Sequence, residues 1–320
     1  MRIIGTTIFP VWLGYLFFSF TLSIHGQQTN LDFELGKNNY HESDWGGAIT
    51  NFSKTIELGY NLYDSYSYRA YSLAMRGSSN AAIADCNQVI KLNPADSRGY
   101  YWRSRVELAL TNLDGALADF EIGRKLYSKG RPEDLAQALS GKLRSFASGK
   151  FNAGDLSGGI TSLNQAINVY PTNWSAYLTR GYWKLLDGSS SAAIADAYIA
   201  IKHFPDQAFS YEIRAWARCE LNDLFGATED CRQALKIYDK RRSKLTDAKA
   251  LAELEMESSL AAGLQAYIND DYAGAVERWS VFVNEAEKNL VPNKKIPLVA
   301  EKYFQKWLDK AQEKLNVKKH

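Results

Sequence analysis

The sequence predicts an all-α protein, a right-handed α-solenoid of about seven helix-turn-helix repeats followed by a C-terminal capping helix. Two observations lead to this prediction. The segment GSSNAAIADCNQVIKLNP at 77–94 returns as GSSSAAIADAYIAIKHFP at 188–205, with eleven of the eighteen positions identical. A small residue followed by Ile, or a similar pair, also recurs along the chain at steps of 34, 34, 43, 34, 34 and 48 residues. A fixed period of this length is typical of stacked repeats.

Each repeat is marked by a small anchor residue and by further columns at fixed distances from it. Twelve residues before each anchor lies a second small residue, and four residues after it lies a mostly bulky or apolar one. Two small columns let paired helices approach closely, and the third places an apolar side chain one turn further on. The anchors are Ala48, Ala82, Ala116, Gly159, Ala193, Ala227 and Ala275.

Turn and stop residues mark the ends of the predicted helices. Gly77, Gly154, Gly188 and Asn222 lie between the two helices of their repeats, where a turn is needed. Pro94, Pro171 and Pro205 follow three second helices, where proline prevents the helix from continuing.

A 34-residue helix-turn-helix unit with these columns resembles the tetratricopeptide repeat (TPR). The resemblance is carried by Leu35-Gly36 with Ala48 and Phe52, and by Arg180-Gly181 with Ala193 and Pro205. It covers 29–290, about seven repeats. The additional residues before repeats four and seven, at 130–150 and 246–269, are rich in helix formers and predict lengthened first helices. Repeats one to three and four to six are offset by 111 residues, which indicates duplication of a three-repeat block.

The chain after the last repeat predicts a capping helix over 296–316. An array exposes apolar surface at its end, and a helix with one apolar face can cover it. Lysines recur at every fourth position on the other side, a pattern typical of a solvated face or of a surface for anionic lipid or nucleic acid. The apolar face comprises Tyr303, Phe304, Trp307, Leu308, Ala311 and Leu315, and the lysines are Lys302, Lys306, Lys310 and Lys314.

The first 26 residues predict a signal peptide or, alternatively, an N-terminal membrane anchor. Arg2 is followed by an apolar run to Ile24 that contains no charge, and small residues follow at Ser23 and Gly26. The apolar run approaches the length that spans a bilayer, so both alternatives remain open. In both cases we expect the rest of the chain to be exported, to a periplasmic, cell-envelope or secreted location.

Composition argues against several classes of function. The formal net charge of +2 does not favour a nucleic-acid partner. His41 and His203 are isolated from cysteine or acidic clusters, so we expect no metal, no cofactor and no catalytic site. Cys86, Cys219 and Cys231 have no disulfide spacing, and we expect them to be small buried residues.

By the resemblance to the TPR family, a partner protein or peptide would bind on a concave face lined by first helices. Tyr, Trp and Arg dominate protein interfaces, although several of these side chains could instead pack between repeats, and we expect about half to be exposed. The lysine and asparagine that clamp chaperone carboxyl termini in some members are replaced by Phe33 and Lys37. The predicted site residues are Phe33, Lys37, Tyr40, Tyr71, Tyr101, Arg105, Arg144, Phe151, Trp174, Tyr182, Trp216 and Tyr267.

The sequence therefore predicts an exported, non-catalytic TPR scaffold that binds another protein through its concave face. The alternative is a self-assembling or structural envelope protein that uses the array ends and the convex face.

A further pairing is predicted inside the repeats. Arg69, Arg103, Arg180 and Arg214 occupy one column of repeats two, three, five and six. The same four repeats carry an aspartate sixteen residues later, and the other three repeats have neither partner. An arginine that only faced solvent would not require an aspartate in the same repeats. We therefore expect contacts between the first and second helices, since a guanidinium can donate two hydrogen bonds to a carboxylate. The aspartates are Asp85, Asp119, Asp196 and Asp230.

Overall fold

The computed structural model describes residues 27–126, 132–287 and 298–318. The predicted signal or anchor segment at 1–26 lies outside these residues, as does the chain at 288–297, between the last repeat and the final helix. The described residues form fifteen helices and contain no strand, which confirms the all-α class.

The helices form seven consecutive pairs, followed by one unpaired helix. First helices are odd-numbered and second helices are even-numbered from α1 to α14. α1 is described over 27–41. The others are α2 Trp45–Glu57, α3 Leu62–Met75, α4 Ser79–Leu92, α5 Ser97–Ala109, α6 Leu113–Leu126, α7 Glu133–Asn152, α8 Leu156–Val169, α9 Trp174–Leu186, α10 Ser190–His203, α11 Ala208–Glu220, α12 Leu224–Arg242, α13 Ala248–Ile268, α14 Tyr272–Glu287 and α15 Leu298–Val317.

The lengthened first helices predicted before repeats four and seven are present. α7 has 20 residues and α13 has 21, whereas α5, α9 and α11 have 13 each. The predicted turn residues adopt the left-handed backbone that a tight helix-to-helix turn needs, with φ of +78° at Gly77, +79° at Gly188 and +62° at Asn222. Aspartates then cap several second helices; the Asp155 carboxylate, for example, accepts from the Gly158 amide at the start of α8.

The small columns allow the two helices of a repeat to lie close together. All six anchor alanines are fully buried. Their partner column leaves no room for a larger residue: a methyl group on Gly36 would lie 2.9 Å from the Phe52 ring, and one on Gly263 would lie 2.2 Å from Trp279 Nε1. The bulky column therefore fills the space that the small column leaves.

The predicted arginine–aspartate pairs form in all four repeats, between the first and second helix of the same repeat. In each pair Nε and Nη2 of the arginine donate to the two carboxylate oxygens at 2.6–2.9 Å. The aspartates are buried, with side-chain exposures of 3–8%, and the arginines retain 15–26%. The pairs therefore fix the position of one helix against the other in a partly desolvated setting.

Three of these arginines also reach the preceding repeat. Arg69 Nη1 donates to Ser53 Oγ at 3.1 Å, Arg103 Nη1 to Asn87 Oδ1 at 2.7 Å, and Arg180 Nη1 to Asn164 Oδ1 at 2.8 Å. Each guanidinium thus joins the second helix of its own repeat to the second helix of the repeat before it. The sequence did not reveal this third contact, because its acceptor changes between serine and asparagine.

The chain divides into two compact units, 1–139 and 140–320, with the boundary inside α7. In unit 1 the first helices are α1, α3 and α5. In unit 2 the helices α9, α11 and α13 follow the C-terminal part of α7. All three cysteines are buried and unbridged, as expected: Cys86 lies in unit 1, and Cys219 and Cys231 lie in unit 2.

The final helix, α15, packs against α14, the second helix of the last repeat, as expected for a capping helix. It also approaches α9 and buries aromatic side chains against α11 and α13. The helix therefore lies over first helices of earlier repeats, which a helix that covers only the array end would not reach. In the described part of the chain, no helix combines the length and apolarity needed to cross a membrane.

Candidate functional site

In unit 1, the surface formed by α1, α3 and α5 carries a group of aromatic side chains that we call the tyrosine patch. The ring centroid of Tyr40 lies 5.0 Å from that of Tyr68, 5.6 Å from that of Tyr71 and 5.7 Å from that of Trp45. Tyr68 also contacts Trp102, with centroids 5.3 Å apart. The pairs are edge-to-face, and all five side chains are half-buried. The patch therefore keeps part of its aromatic surface accessible to solvent.

Two cations flank the tyrosine patch. Lys37 lies over the Phe33 ring at 5.8 Å and pairs with Glu34 at 3.0 Å. The Arg105 guanidinium lies 5.7 Å from the centre of the Trp102 ring, and its Nη2 donates to Asp134 at 2.6 Å. Burial raises the pKa of Tyr40 to about 12, with nearby Arg105 acting in the opposite direction. At neutral pH the Tyr40 hydroxyl is therefore uncharged, and each flanking cation is paired with an exposed carboxylate, so these two pairs give the rim no net charge.

Phe33 and Tyr101, also predicted for the site in unit 1, are buried. Phe33 packs edge-on against Phe52 of α2. Tyr101 packs on Phe120, and a methyl group on Gly123 would lie 2.7 Å from its ring. Each side chain packs a first helix against the second helix of the same repeat, whereas the alternative that the sequence left open was packing between repeats.

Three residues of the patch were missing from the predicted site: Trp45, Tyr68 and Trp102. Helical spacing could have identified two of them. Tyr68 lies three residues before Tyr71, and Trp102 lies three residues before Arg105, so each shares a helix face with a predicted residue. Trp45 begins a second helix and reaches the patch only through the turn, so only the tertiary structure places it there.

In unit 2, four of the predicted residues lie in separate settings. Arg144 is exposed. It is the only exposed residue among the twelve predicted site residues of both units; four of the others are buried and seven are half-buried. Phe151 is buried and stacks on Trp183, with centroids 4.6 Å apart. Trp174 stacks on Phe204 at 4.9 Å, and Tyr182 meets Phe209 edge-on at 5.2 Å. Fewer predicted residues are exposed than expected, because aromatic rings on first helices also contact neighbouring helices.

Trp216 and Tyr267, the remaining two residues, lie beneath α15. Trp216 is only 2% exposed, and its ring lies 5.2 Å from Trp279 and 5.2 Å from Trp307. The Tyr267 ring meets Trp307 edge-on at 5.4 Å. Trp307 belongs to the final helix, so the chain itself covers this part of its first-helix surface.

A buried acid, Glu212, was also missed by the sequence reasoning. It is 2% exposed, and its Oε1 has no hydrogen-bond partner among the described residues. Burial raises its pKa to about 8; Glu257 acts in the same direction, while Tyr238, through a hydrogen bond, and Arg241 act against it. An acidic residue at this position was a signal of an unusual group, because the equivalent position is mostly buried in the other repeats. The equivalent residues are Phe33, Ser67, Tyr101, Arg144, Leu178 and Leu260.

The described residues contain no group of three or more His, Cys, Asp or Glu side chains placed to hold a metal ion. Burial raises the pKa of all three cysteine thiols, which makes them less reactive. The tyrosine patch is a half-buried aromatic surface among the described residues.

Comparison with known proteins gives relatives of one kind. No protein-family model matches the chain. DnaJ homolog subfamily C member 3 of Homo sapiens is 26% identical over 212 residues, which cover 64% of this chain and 42% of the relative. A tetratricopeptide repeat and J domain-containing co-chaperone of Cryptococcus neoformans is 30% identical over 99 residues, covering 31% of this chain and 18% of the relative. The matched regions thus span less than half the length of these relatives.

Among solved structures, the chain is similar to the C-terminal part of a TPR repeat-containing protein from Cytophaga hutchinsonii. The TM-score is 0.50 with 14% sequence identity, over 84% of this chain and 98% of the other. The seven helix pairs, the small columns and this similarity together define the class. The protein is an α-solenoid of tetratricopeptide repeats.

Proposed function

We propose that this chain is a scaffold that binds a protein partner through the tyrosine patch of unit 1. The observation that carries the proposal is the contrast between the two first-helix surfaces. The five rings of the patch are half-buried, whereas Trp216 in unit 2 is only 2% exposed beneath α15. Tyrosine, tryptophan and arginine are the residues that contribute most at protein interfaces.

The chemistry of the patch favours an extended peptide that carries both apolar and acidic side chains. Apolar groups would pack on Tyr71 and Trp102. A carboxylate would compete with Asp134 for Arg105, or with Glu34 for Lys37. The name of the Cryptococcus neoformans relative, a co-chaperone, is consistent with a protein-binding role.

We expect alanine at Tyr68, Tyr71 and Arg105 together to weaken such binding by at least about thirtyfold, because truncating interface aromatics and arginines commonly costs 2 kcal/mol or more. Peptides selected from a random displayed library against the immobilised full chain supply the probe. Their affinity is then measured by fluorescence anisotropy for the parent chain and for the variant.

The matched control is Tyr198→Ala, which removes a tyrosine that is 59% exposed on the second helix α10. It should leave peptide affinity unchanged. Equal affinity of the triple variant and the parent chain would contradict the proposal.

Self-assembly is the second candidate, and one surface favours it. At the turn between α11 and α12, Leu221, Leu224 and Phe225 are exposed, Phe225 to 81%. Exposed apolar groups that lie together often mark contacts between proteins. A chain that selects no peptide but sediments as defined oligomers would support this function in place of the first.

Export is the second part of the proposal, and it depends on the first 26 residues of the sequence. We expect the mature chain to begin near Gln27 or Ile24, because the charge-free run ends there. Intact mass and N-terminal sequencing of the chain purified from its native source measure this. A full-length chain that resists alkaline extraction from membranes would instead support the anchor, and a full-length soluble chain would contradict both alternatives.

A further inference from the structure

The final helix, α15, covers the first-helix surface of unit 2 with a stripe of aromatic residues. Tyr303, Phe304 and Trp307 surround Trp216 of α11, with ring centroids at 6.1, 5.6 and 5.2 Å. Leu308 and Ala311 continue the stripe and are buried as well. These positions are separated by one, three, one and three residues, which is the spacing of one face of a helix.

Polar contacts at the edge of this surface set the direction of the helix. The Tyr303 hydroxyl donates to Glu220 Oε1 at 3.2 Å, and Lys306 Nζ lies 3.7 Å from the same oxygen. The lysines at 302, 306 and 314 are exposed on the other side. The arrangement is that of an amphipathic helix bound in a groove, with aromatic anchors below and charges above.

The fit between α15 and the repeats is incomplete at its centre. The indole N–H group of Trp216 is buried and has no acceptor among the described residues. Indole N–H groups usually find a partner when they are buried. A helix that supplied an acceptor at this point would fit the surface better than α15 does.

The covalent connection compensates for this imperfect fit. Ten residues, 288–297, separate the end of α14 from the start of α15. The contact between α15 and the repeats is therefore intramolecular, and a separate helix must compete with a segment of the same chain.

We propose that α15 is a resident ligand of the first-helix surface of unit 2. A partner protein gains this surface by presenting an amphipathic helix with the same chemistry: two adjacent aromatic residues, a third one turn later, and a basic residue for Glu220. The surface is then a second binding site, closed by the chain itself until such a helix displaces α15. This inference is independent of the tyrosine patch, whose triple variant lies in unit 1.

The first experiment uses the full chain with Phe304→Ala and Trp307→Ala combined. The probe is a fluorescent synthetic peptide of residues 298–318. We expect the variant to bind this peptide at least about tenfold more tightly than the parent chain, because the weakened resident helix no longer competes at its tethered concentration. A peptide carrying the same two substitutions is the control, and it should not bind.

Cys219 provides an independent readout, since it is buried in the same cluster as Trp216 and the α15 rings. Its alkylation by N-ethylmaleimide, mapped by mass spectrometry, should be at least about tenfold faster in the variant, and the added peptide should slow it again. Cys86 is fully buried in a separate cluster of unit 1 and serves as the internal reference. Its rate should not change.

A charge exchange tests the same contact without creating a cavity. Glu220→Lys places like charges together and should accelerate Cys219 alkylation by about threefold, and adding Lys306→Glu should reverse this. Unchanged Cys219 rates with no gain in peptide binding would overturn the proposal. So would equal acceleration of Cys219 and Cys86, which would make α15 part of the folded core, or exchange of α15 between two chains in a sedimenting dimer.

Discussion

Arg103→Met is expected to lower the free energy of unfolding by about 3–5 kcal/mol, because it leaves a buried carboxylate without its partner. Asp119 is 4% exposed and accepts two hydrogen bonds from Arg103, at 2.7 Å each. Within the described residues, no second cation lies within 4.0 Å of Asp119. Methionine keeps most of the side-chain volume, so the loss would reflect the unpaired charge and the lost hydrogen bond to Asn87.

Arg214→Met is the matched control for this substitution. Its aspartate, Asp230, also pairs with Arg218 at 2.7 Å, so one cation remains after the change. We expect a loss of only about 1–2 kcal/mol. Urea unfolding followed by circular dichroism gives both values, and hydrogen exchange shows which repeats open.

A double substitution separates charge from packing. Arg103→Met with Asp119→Leu removes both partners, and replacing an ion pair by apolar groups is often close to neutral. Most of the loss should therefore be recovered. If Arg103→Met lowers the free energy of unfolding by less than about 1 kcal/mol, the pair does not position the helices. The same conclusion follows if the double substitution recovers none of the lost free energy.

Glu212→Gln is expected to stabilise the protein at pH 8 by on the order of 3–5 kcal/mol, with little effect at pH 5. The pKa of Glu212 is raised by burial from an ordinary value of 4.5 to about 8. Below pH 4.5 both the folded and the unfolded chain hold the proton, so the group does not affect stability. As the pH rises from 4.5 to 8 the unfolded chain loses the proton and the folded chain keeps it, so the folded state becomes progressively less favourable.

Glutamine is neutral at every pH and removes this penalty. Thermal or urea unfolding at pH 5, 6, 7 and 8 measures the difference between the variant and the parent chain. The control is Glu257→Gln, an exposed acid whose charge contributes to the raised pKa of Glu212; it should shift the pH dependence only slightly in the same direction. A difference between Glu212→Gln and the parent that does not change with pH would show that Glu212 is ionised in the folded chain.

Much of the fold could be read from the sequence because repetition removes ambiguity. One helix pair with a small anchor is a weak pattern, but seven in register at mostly 34-residue steps constrain each other. The same register identified the arginine–aspartate pairs. The columns that contain Arg180 and Asp196 hold an arginine and an aspartate in the same four repeats, and neither partner is present in the other three. Local rules sufficed there because the partners belong to one helix pair.

The candidate site was predicted less well, for a physical reason. An aromatic residue on a first helix can either face solvent or pack on a neighbouring helix, and its sequence position alone does not distinguish these. Tyr71 and Tyr101 were both predicted for the site, yet one is half-buried in the patch and the other is buried against Phe120. Glu212 shows the same limitation, since its burial depends on Tyr238 and on α13 in the next repeat.

The sequence by itself determined the class of protein, the number of repeats, the helix ends and the internal ion pairs, because these depend on contacts within a repeat or between adjacent ones. The tertiary structure alone decided which surfaces are open. The predicted capping helix was identified from its apolar stripe, but only its position over Trp216 and Tyr267 shows that it occupies a first-helix surface. An apolar stripe fixes that a helix must be buried, whereas the partner that buries it is set by long-range packing that no local pattern encodes.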